Sequence, residues 1–590
     1  MKRINIFSAV VLGMLGLASC SDQMNYNEYY IYDRDYMTQE FGRVEGFLTT
    51  AYNEMDYEND KAYFYTYKSD GNYGNAMWAS ATDESEYAYN GNAVEDFYNG
   101  ALSPTNPHAA YWKSSLKGIA YCNLFLDEFA DEKFENYQYN DDYEQQKFKY
   151  KNMRWEARFL RAYYYFRLVR QYNGAPLYCH NLSANQLNQL PMSKADEVFE
   201  FIKNSCDSIK DSIIVDYTDL GDYAIKGQVE TARANQLSVL ALKARAALYH
   251  ASPLFNTNND AELWHEAALA TKELVDSAEK QGKGLAATYD CLWASDNYVN
   301  AKSTKEILFY RSIAESRNLE QANFPVGLEN CSGGNCPTQD LVDAYEMQRT
   351  GKGINEEGSG YNEQKPYTGR DPRFELTICH NETKRWPNWA TDLVYTYQGG
   401  ANAQPLTGGT PTGYYLKKLL VSAADPRPAT ANTFKHSWVI FRMGEAYLNY
   451  AEAVFNYFKS QGRMDAADAT SEEFPISARE LASKTRLRSK MPAIPAGMSN
   501  DDFWAKYQNE RRVELAFEGH RFWDVRRWKE GSKYFGKITE MHITKNEDGT
   551  YTYNRKTVNR KWDDKYNFFP IPQSDIMKNP NLDQSITGWK

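Results

Sequence analysis

Residues 155–176 read Trp155-Glu-Ala-Arg-Phe159-Leu-Arg-Ala162-Tyr-Tyr-Tyr-Phe166-Arg-Leu-Val169-Arg-Gln-Tyr172-Asn173-Gly174-Ala-Pro176. Trp155, Phe159, Ala162, Phe166 and Val169 recur at steps of four and three, one apolar stripe of an amphipathic helix. The helix stops at Tyr172-Asn173-Gly174, with Pro176 just beyond. Outward from it the same period returns. Leu237, Ala241, Ala244 and Leu248 give a stripe within 229–251, rich enough in Ala for another helix to approach closely. Residues 261–279 form a third helix, and Ile440, Met443, Tyr447, Ala451 and Val454 a fourth stripe. Segments 474–490 and 499–518 complete the set. Turn signals such as Ser252-Pro253 separate these helices into pairs, which predicts stacked hairpins of tetratricopeptide type, although the strict repeat consensus is absent. Residues 281–435 differ: Gly-Gly, Gly-Ser-Gly and several Pro interrupt them, and short extended runs such as Ile307-Leu308-Phe309-Tyr310 appear. The expected fold is mainly α, tetratricopeptide-like helix pairs with a large loop-rich insertion containing short strands.

The whole chain has 590 residues, of which 42% are hydrophobic and 25% charged, a globular balance that excludes wholesale disorder and coiled-coil rods. Its first residues carry an address. Lys2 and Arg3 precede an uncharged apolar run, Ile4 to Ala18, too short to span a bilayer. The run ends in Leu17-Ala18-Ser19-Cys20, which looks like a bacterial lipobox with Cys20 as the lipidation site. Residues 1–19 read as a lipoprotein signal peptide, 20–33 as a lipidated tether, and 34–590 as the body. The expected attachment is to a membrane, through lipid on Cys20. The formal charge is −11 and becomes −13 once Lys2 and Arg3 leave with the leader, which argues against nucleic acid as a partner. Of the eight Cys, only Cys331 and Cys336 lie close together, either as a loop disulfide or as two reduced thiols.

Familiar catalytic signatures are missing. The His residues form no HExxH, no CxxC pair occurs, and neither a Walker loop nor a dinucleotide fingerprint appears, so no metal and no cofactor are expected. Glu510, Glu514 and Glu518 share a helix face with Arg511, Arg512 and Arg521 nearby, and an ion-pair network explains them more simply than a catalytic carboxylate pair. Two polar, aromatic stretches are more informative. One contains Asp70, Asn72, Tyr73, Trp78 and Asp83; the other contains Arg385, Trp386, Trp389 and Tyr395. Flat rings stack on the C–H faces of sugars while Asp, Asn and Arg bind the hydroxyls, so these residues are the candidate glycan contacts. The alternative is that the Trp side chains pin long loops to the scaffold.

The segment Asn509-Glu-Arg-Arg-Val-Glu-Leu-Ala-Phe-Glu-Gly-His-Arg-Phe-Trp-Asp-Val-Arg-Arg-Trp528 resembles the hallmark of the SusD/RagB family of Bacteroidetes outer-membrane lipoproteins. Glu156 to Phe166, Thr338 to Tyr345, Arg370-Asp-Pro-Arg-Phe374, Phe441 to Ala453 and Phe569-Pro-Ile-Pro-Gln573 agree with it in order along the chain. The resemblance implies a non-catalytic surface lipoprotein that captures oligosaccharide or polysaccharide and delivers it to a SusC-like TonB-dependent transporter. Capture of peptides or glycopeptides is the alternative within that family, and a surface glycoside hydrolase is the alternative outside it. The resemblance also implies a ligand surface drawn from 70–89, 321–336 and 385–415.

Overall fold

The computed structural model describes residues 34–55, 76–226, 232–293 and 305–589. The leader and tether with Cys20, and the candidate contacts Asp70, Asn72 and Tyr73, lie outside the described residues. Helices α1 (Phe41–Asn53), α2 (Ala110–Glu128), α3 (Tyr143–Tyr172), α4 (Ala195–Ile209), α5 (Gln236–Ala251) and α6 (Ala261–Lys280) follow one another, each packed on the next. The stack resumes with α8 (Met443–Ser460), which lies directly against α6, then α9 (Ala478–Arg488), α10 (Asn500–Glu514) and α11 (His520–Arg527). Between α6 and α8 run long loops and a short helix α7 (Pro372–Thr377). This is the mainly helical architecture read from the periodicities.

Local chemistry sets the boundaries. Asn173 caps α3 in the left-handed region, at φ 57°, and its N–H donates to Val169 O. Asn235 and Ser238 close a reciprocal capping box at the start of α5, and Ser477 with Glu480 does the same for α9. Helix α3 departs from the expected single stripe: from Glu156 to Tyr172 it is buried nearly all round. Helices α1, α2 and α4 all pack on it, and its polar tips find backbone partners instead of water. Tyr165 Oη donates to Tyr178 O at 2.9 Å, and Arg167 Nη1 donates to Glu54 O at 2.8 Å. Gly118 makes the α2–α3 crossing close, since a Cβ there would sit 2.4 Å from the Tyr164 ring. Ile440, placed by periodicity in the fourth helix, instead belongs to a strand that leads into α8.

Strands β1 (Ser85–Tyr87), β2 (Ile307–Ser316), β3 (Asn335–Pro337), β4 (Phe434–Arg442), β5 (Lys537–Lys545) and β6 (Tyr551–Asn559) form antiparallel pairs β1–β3, β2–β4 and β5–β6. One hydrophobic cluster runs along the helices. A second is made by insertion residues such as Phe324, Leu341, Phe374 and Tyr415, closed by Val513, Phe517 and Ile543.

The two clusters are fastened by buried charge. Arg373 in α7 reaches Glu510 at 2.6 Å and Glu514 at 2.9 Å, and Arg442 at the end of β4 reaches Glu306 at 2.6 Å and Glu514 at 2.8 Å. Arg442 and Lys418 also hold Glu518, each at 2.7 Å. Gly444 leaves the room this needs, because a Cβ there would collide with Arg442 and crowd Glu306 and Glu514. Burial opposes ionisation, but the Arg442 and Lys418 cations outweigh it and hold Glu518 down at about 2. The carboxylates on this helix face therefore serve an ion-pair network, as their spacing suggested, though the cations come from Arg373, Arg442, Arg486, Arg488 and Lys418. Arg511 pairs with Asp524 instead, and Arg512 and Arg521 with Asp83.

Candidate functional site

The structure separates the expected contacts into core and surface. Trp78 is only 4% exposed; it packs against Phe97, Phe522 and Trp523, and its Nε1 donates to Tyr111 Oη at 2.7 Å. Asp83 is also buried, and Arg521 grips both its oxygens at 2.9 Å while Arg512 approaches at 3.0 Å. Burial pushes the Asp83 carboxyl up, and the two guanidiniums overcome this and hold it below its ordinary value. Trp386, 7% exposed, meets Phe324 edge-on at 5.6 Å. Against the sequence reading, the structure turns the Trp78 and Trp386 rings to protein and commits the Asp83 carboxylate to Arg521 and Arg512, so none of the three is displayed at the surface. A ring in a polar, Gly-broken segment escapes water by sinking into the core beneath that segment.

Cys331 and Cys336 are free thiols, so no disulfide joins them. Cys336 lies in β3 opposite Glu86 and donates to Gly333 O at 3.2 Å, while Cys331 donates to Glu329 O at 3.5 Å. Each thiol has its own backbone acceptor, and burial pushes Cys331 up to about 12.

Arg385, Trp389 and Tyr395 do reach the surface. Trp389 is half-buried and pinned: Nε1 donates to Ala424 O at 2.8 Å, and the Arg427 guanidinium covers its ring at 4.3 Å. Arg427 is in turn held by Asp425. Tyr395 belongs to a broader arrangement. Its ring meets that of Tyr397 at 5.7 Å, and Tyr397 meets Tyr551 of β6, also at 5.7 Å. Tyr553 lies two residues further along β6, on the same face, edge-on to Tyr367 at 5.8 Å. All four of these tyrosines are half-buried, so each ring keeps some area in solvent.

Backbone anchors fix the patch. Thr383 and Val394 form an antiparallel bridge, and Gln398 N–H donates to Ile543 O of β5 at 2.8 Å. Asn402 Oδ1 accepts from Tyr395 N–H at 2.9 Å, and Asn381 Oδ1 accepts from Thr396 N–H at 3.0 Å. Polar groups rim the rings. Tyr551 Oη donates to Glu382 Oε1 at 2.9 Å, and Lys545 Nζ stands 5.4 Å from the Tyr397 centroid. Burial, with Glu382 and two neighbouring tyrosines, pushes Tyr553 up to about 12, so it keeps its donor proton at neutral pH. Among the described residues the hydroxyls of Tyr395 and Tyr397 have no protein partner. Chemically this is a set of ring faces with hydroxyl, carboxylate and ammonium groups around them. Tyr397, two residues beyond Tyr395, closes the same aromatic stretch of the sequence, though it is not among the candidate contacts named from it. Tyr551, Tyr553, Glu382 and Lys545 escaped the sequence reading. The signal for the hairpin was present: Asp548-Gly549 stands between Lys537–Lys545 and the alternating Tyr551-Thr-Tyr553.

The described residues form a helical-repeat frame carrying a strand-bearing insertion, with no group of metal-ligating side chains among them. The family profile described as the SusD family matches residues 294–589, half of the chain, and a second, described as "Starch-binding associating with outer membrane", matches 32–248. The chain belongs to the SusD family, whose members are non-catalytic binding proteins. It is 24% identical to the "Starch-binding protein SusD" of Bacteroides thetaiotaomicron over 456 residues, 74% of this chain and 72% of that protein. A SusD-like protein of Bacteroides fragilis superposes with a TM-score of 0.71 at 22% identity, covering 94% of this chain and 98% of that one. A SusD-like carbohydrate binding protein of the same species gives 0.70 at 20% identity, covering 93% and 100%.

Proposed function

We propose that this chain is a lipid-tethered surface receptor that captures oligosaccharide or polysaccharide without cleaving it and delivers it to a SusC-like TonB-dependent transporter. The observation that carries the reading is the Tyr395, Tyr397, Tyr551 and Tyr553 patch, in which the Tyr395 and Tyr397 hydroxyls have no partner among the described residues and Glu382, bonded to Tyr551, and Lys545 stand at the rim. Rings of this kind stack on sugar faces, and the polar rim fixes orientation by directed hydrogen bonds. Membership of the family and the starch- and carbohydrate-binding names of its relatives support the ligand class. The leader ending at Cys20 supports the anchor. Holding receptor and transporter together raises the local ligand concentration at the pore without new contacts.

Affinity electrophoresis on a panel of plant, microbial and host polysaccharides tests the site. Tyr397→Ala and Tyr551→Ala are each expected to weaken retention about two- to tenfold, the worth of one stacking ring, with Tm nearly unchanged. Trp78→Ala is the contrast: it lowers Tm, at a cost of about 3–5 kcal/mol for an aromatic ring removed from a core. Full retention by both tyrosine variants on a polysaccharide that wild type binds would remove the patch from the site.

A further inference from the structure

On α3, Lys147, Lys151, Arg154, Arg158 and Arg161 follow one another at steps of four, three, four and three, so they share one helix face about 21 Å long. This is a concentration of positive charge on a chain whose net charge is strongly negative. Few of these cations are neutralised. Arg154 meets Asp131 at 2.5 Å and Ala130 O at 2.6 Å. Arg161 donates only to uncharged acceptors, Asn123 Oδ1 at 2.7 Å and Cys179 O at 3.0 Å. Lys147 stands over the Tyr143 ring and Arg158 over the Trp155 ring. Lys151 is exposed and has no carboxylate partner among the described residues. Burial lowers the Arg158 pKa, and the like charges of Arg161 and Arg154 lower it further.

The stripe also lies beside the point where the tether enters the body. Arg34, among the first described residues, is held by Glu132 and stands 3.9 Å from Glu128, next to the Ala130–Asp131 turn that receives Arg154. The fourteen residues from Cys20 to Asp33 span at most roughly 50 Å, so a lipid on Cys20 would hold the tether's entry point, and the start of this stripe beside it, within that distance of the bilayer.

We infer that the basic face of α3 rests on anionic lipid headgroups of the membrane that holds the tether, a second and electrostatic contact that sets which side of the body faces the lipid. The orientation rests on the tethering in the proposed function; the charge contact does not. Each cation near an anionic surface multiplies partitioning about fivefold and is screened by salt.

The mature chain carrying Cys20→Ser is mixed with vesicles of phosphatidylcholine, alone or with phosphatidylglycerol. It is expected to float with the anionic vesicles at about 0.02 M salt and to be released at about 0.5 M. Lys151→Glu/Arg158→Glu, which reverses two charges, should reduce the bound fraction more than roughly tenfold, and Lys147→Gln/Lys151→Gln, which only removes two, should reduce it less. Unchanged flotation of both double variants overturns the inference. So does retention in a gel of acidic polysaccharide without flotation, which would assign the face to a soluble polyanion. The tether is read separately, since the lipidated wild-type chain should insert into phosphatidylcholine vesicles whatever the charge on α3.

Discussion

Glu84 stands beside Asp83 in the core, yet the two carboxylates behave oppositely. Arg521 grips both Asp83 oxygens, whereas Glu84 Oε2 accepts one long bond from Phe517 N–H at 3.5 Å and Oε1 has no partner. Burial pushes Glu84 up to about 7, only partly offset by Arg512 and Arg521. A raised carboxyl binds its proton more tightly folded than unfolded. Its contribution to stability is therefore complete below pH 4.5 and is lost as pH rises through 7. Glu84→Gln is expected to leave Tm nearly unchanged at pH 4 and to raise it at pH 8, with a ceiling of ~3 kcal/mol. A thermal scan at the two pH values reads the difference; equal shifts at both would mean the charge is already relieved. At this scale the sequence was least legible. Trp78 and Trp386 sit among glycines and polar residues as a surface ring would, and only the packed neighbours, Tyr111 and Phe324, decide that they are core. Tyr395 was found because its own segment displays it. Its partners Tyr551 and Tyr553 come from a hairpin more than 150 residues away, and no local pattern joins the two.

Elements were far easier to read. Helices α5, α6 and α9 fall within a residue of the spans 229–251, 261–279 and 474–490 or inside them, and α10 begins where 499–518 does but ends at Glu514, because burial of one face is written locally while helix ends are not. Ile440 shows where that reasoning fails: a strand feeding a helix continues the apolar spacing across the junction, and only pairing with β2 separates them. The buried ion network was visible as Glu510, Glu514 and Glu518, but its cations were not, since Arg373 and Arg442 arrive from distant segments. This makes α7 the joint between insertion and frame. Arg373→Met leaves Glu510 and Glu514 short of a guanidinium in a dry interior, a loss of about 3–5 kcal/mol. Hydrogen exchange should then quicken across 339–420 and in α10 while α1 to α4 keep their protection. Uniform quickening would show that insertion and helices open as one unit.

For the molecule as a whole, the class was legible in the Asn509–Trp528 segment, while the Cys20 lipobox resemblance carries the address as part of the proposed reading. No helix among the described residues is long and apolar enough to cross a membrane; in the proposed reading the lipid on Cys20 is the anchor. Cys20→Ala is expected to shift the protein from the membrane pellet to the soluble fraction of lysed cells. Persistence in the pellet would place the anchor elsewhere.

The direct packing of α6 on α8 means that the chain leaves the helical stack and returns to it at nearly one place, through the paired strands β2 and β4. A stretch with neighbouring ends can be treated as a cassette. Its length and side chains can drift, or be exchanged for those of a relative, while the frame keeps its shape. Such a replacement must still present an arginine where Arg373 stands and fit the close contact over Gly444 of α8; the remainder is open to change, and ligand preference can diverge without rebuilding the architecture.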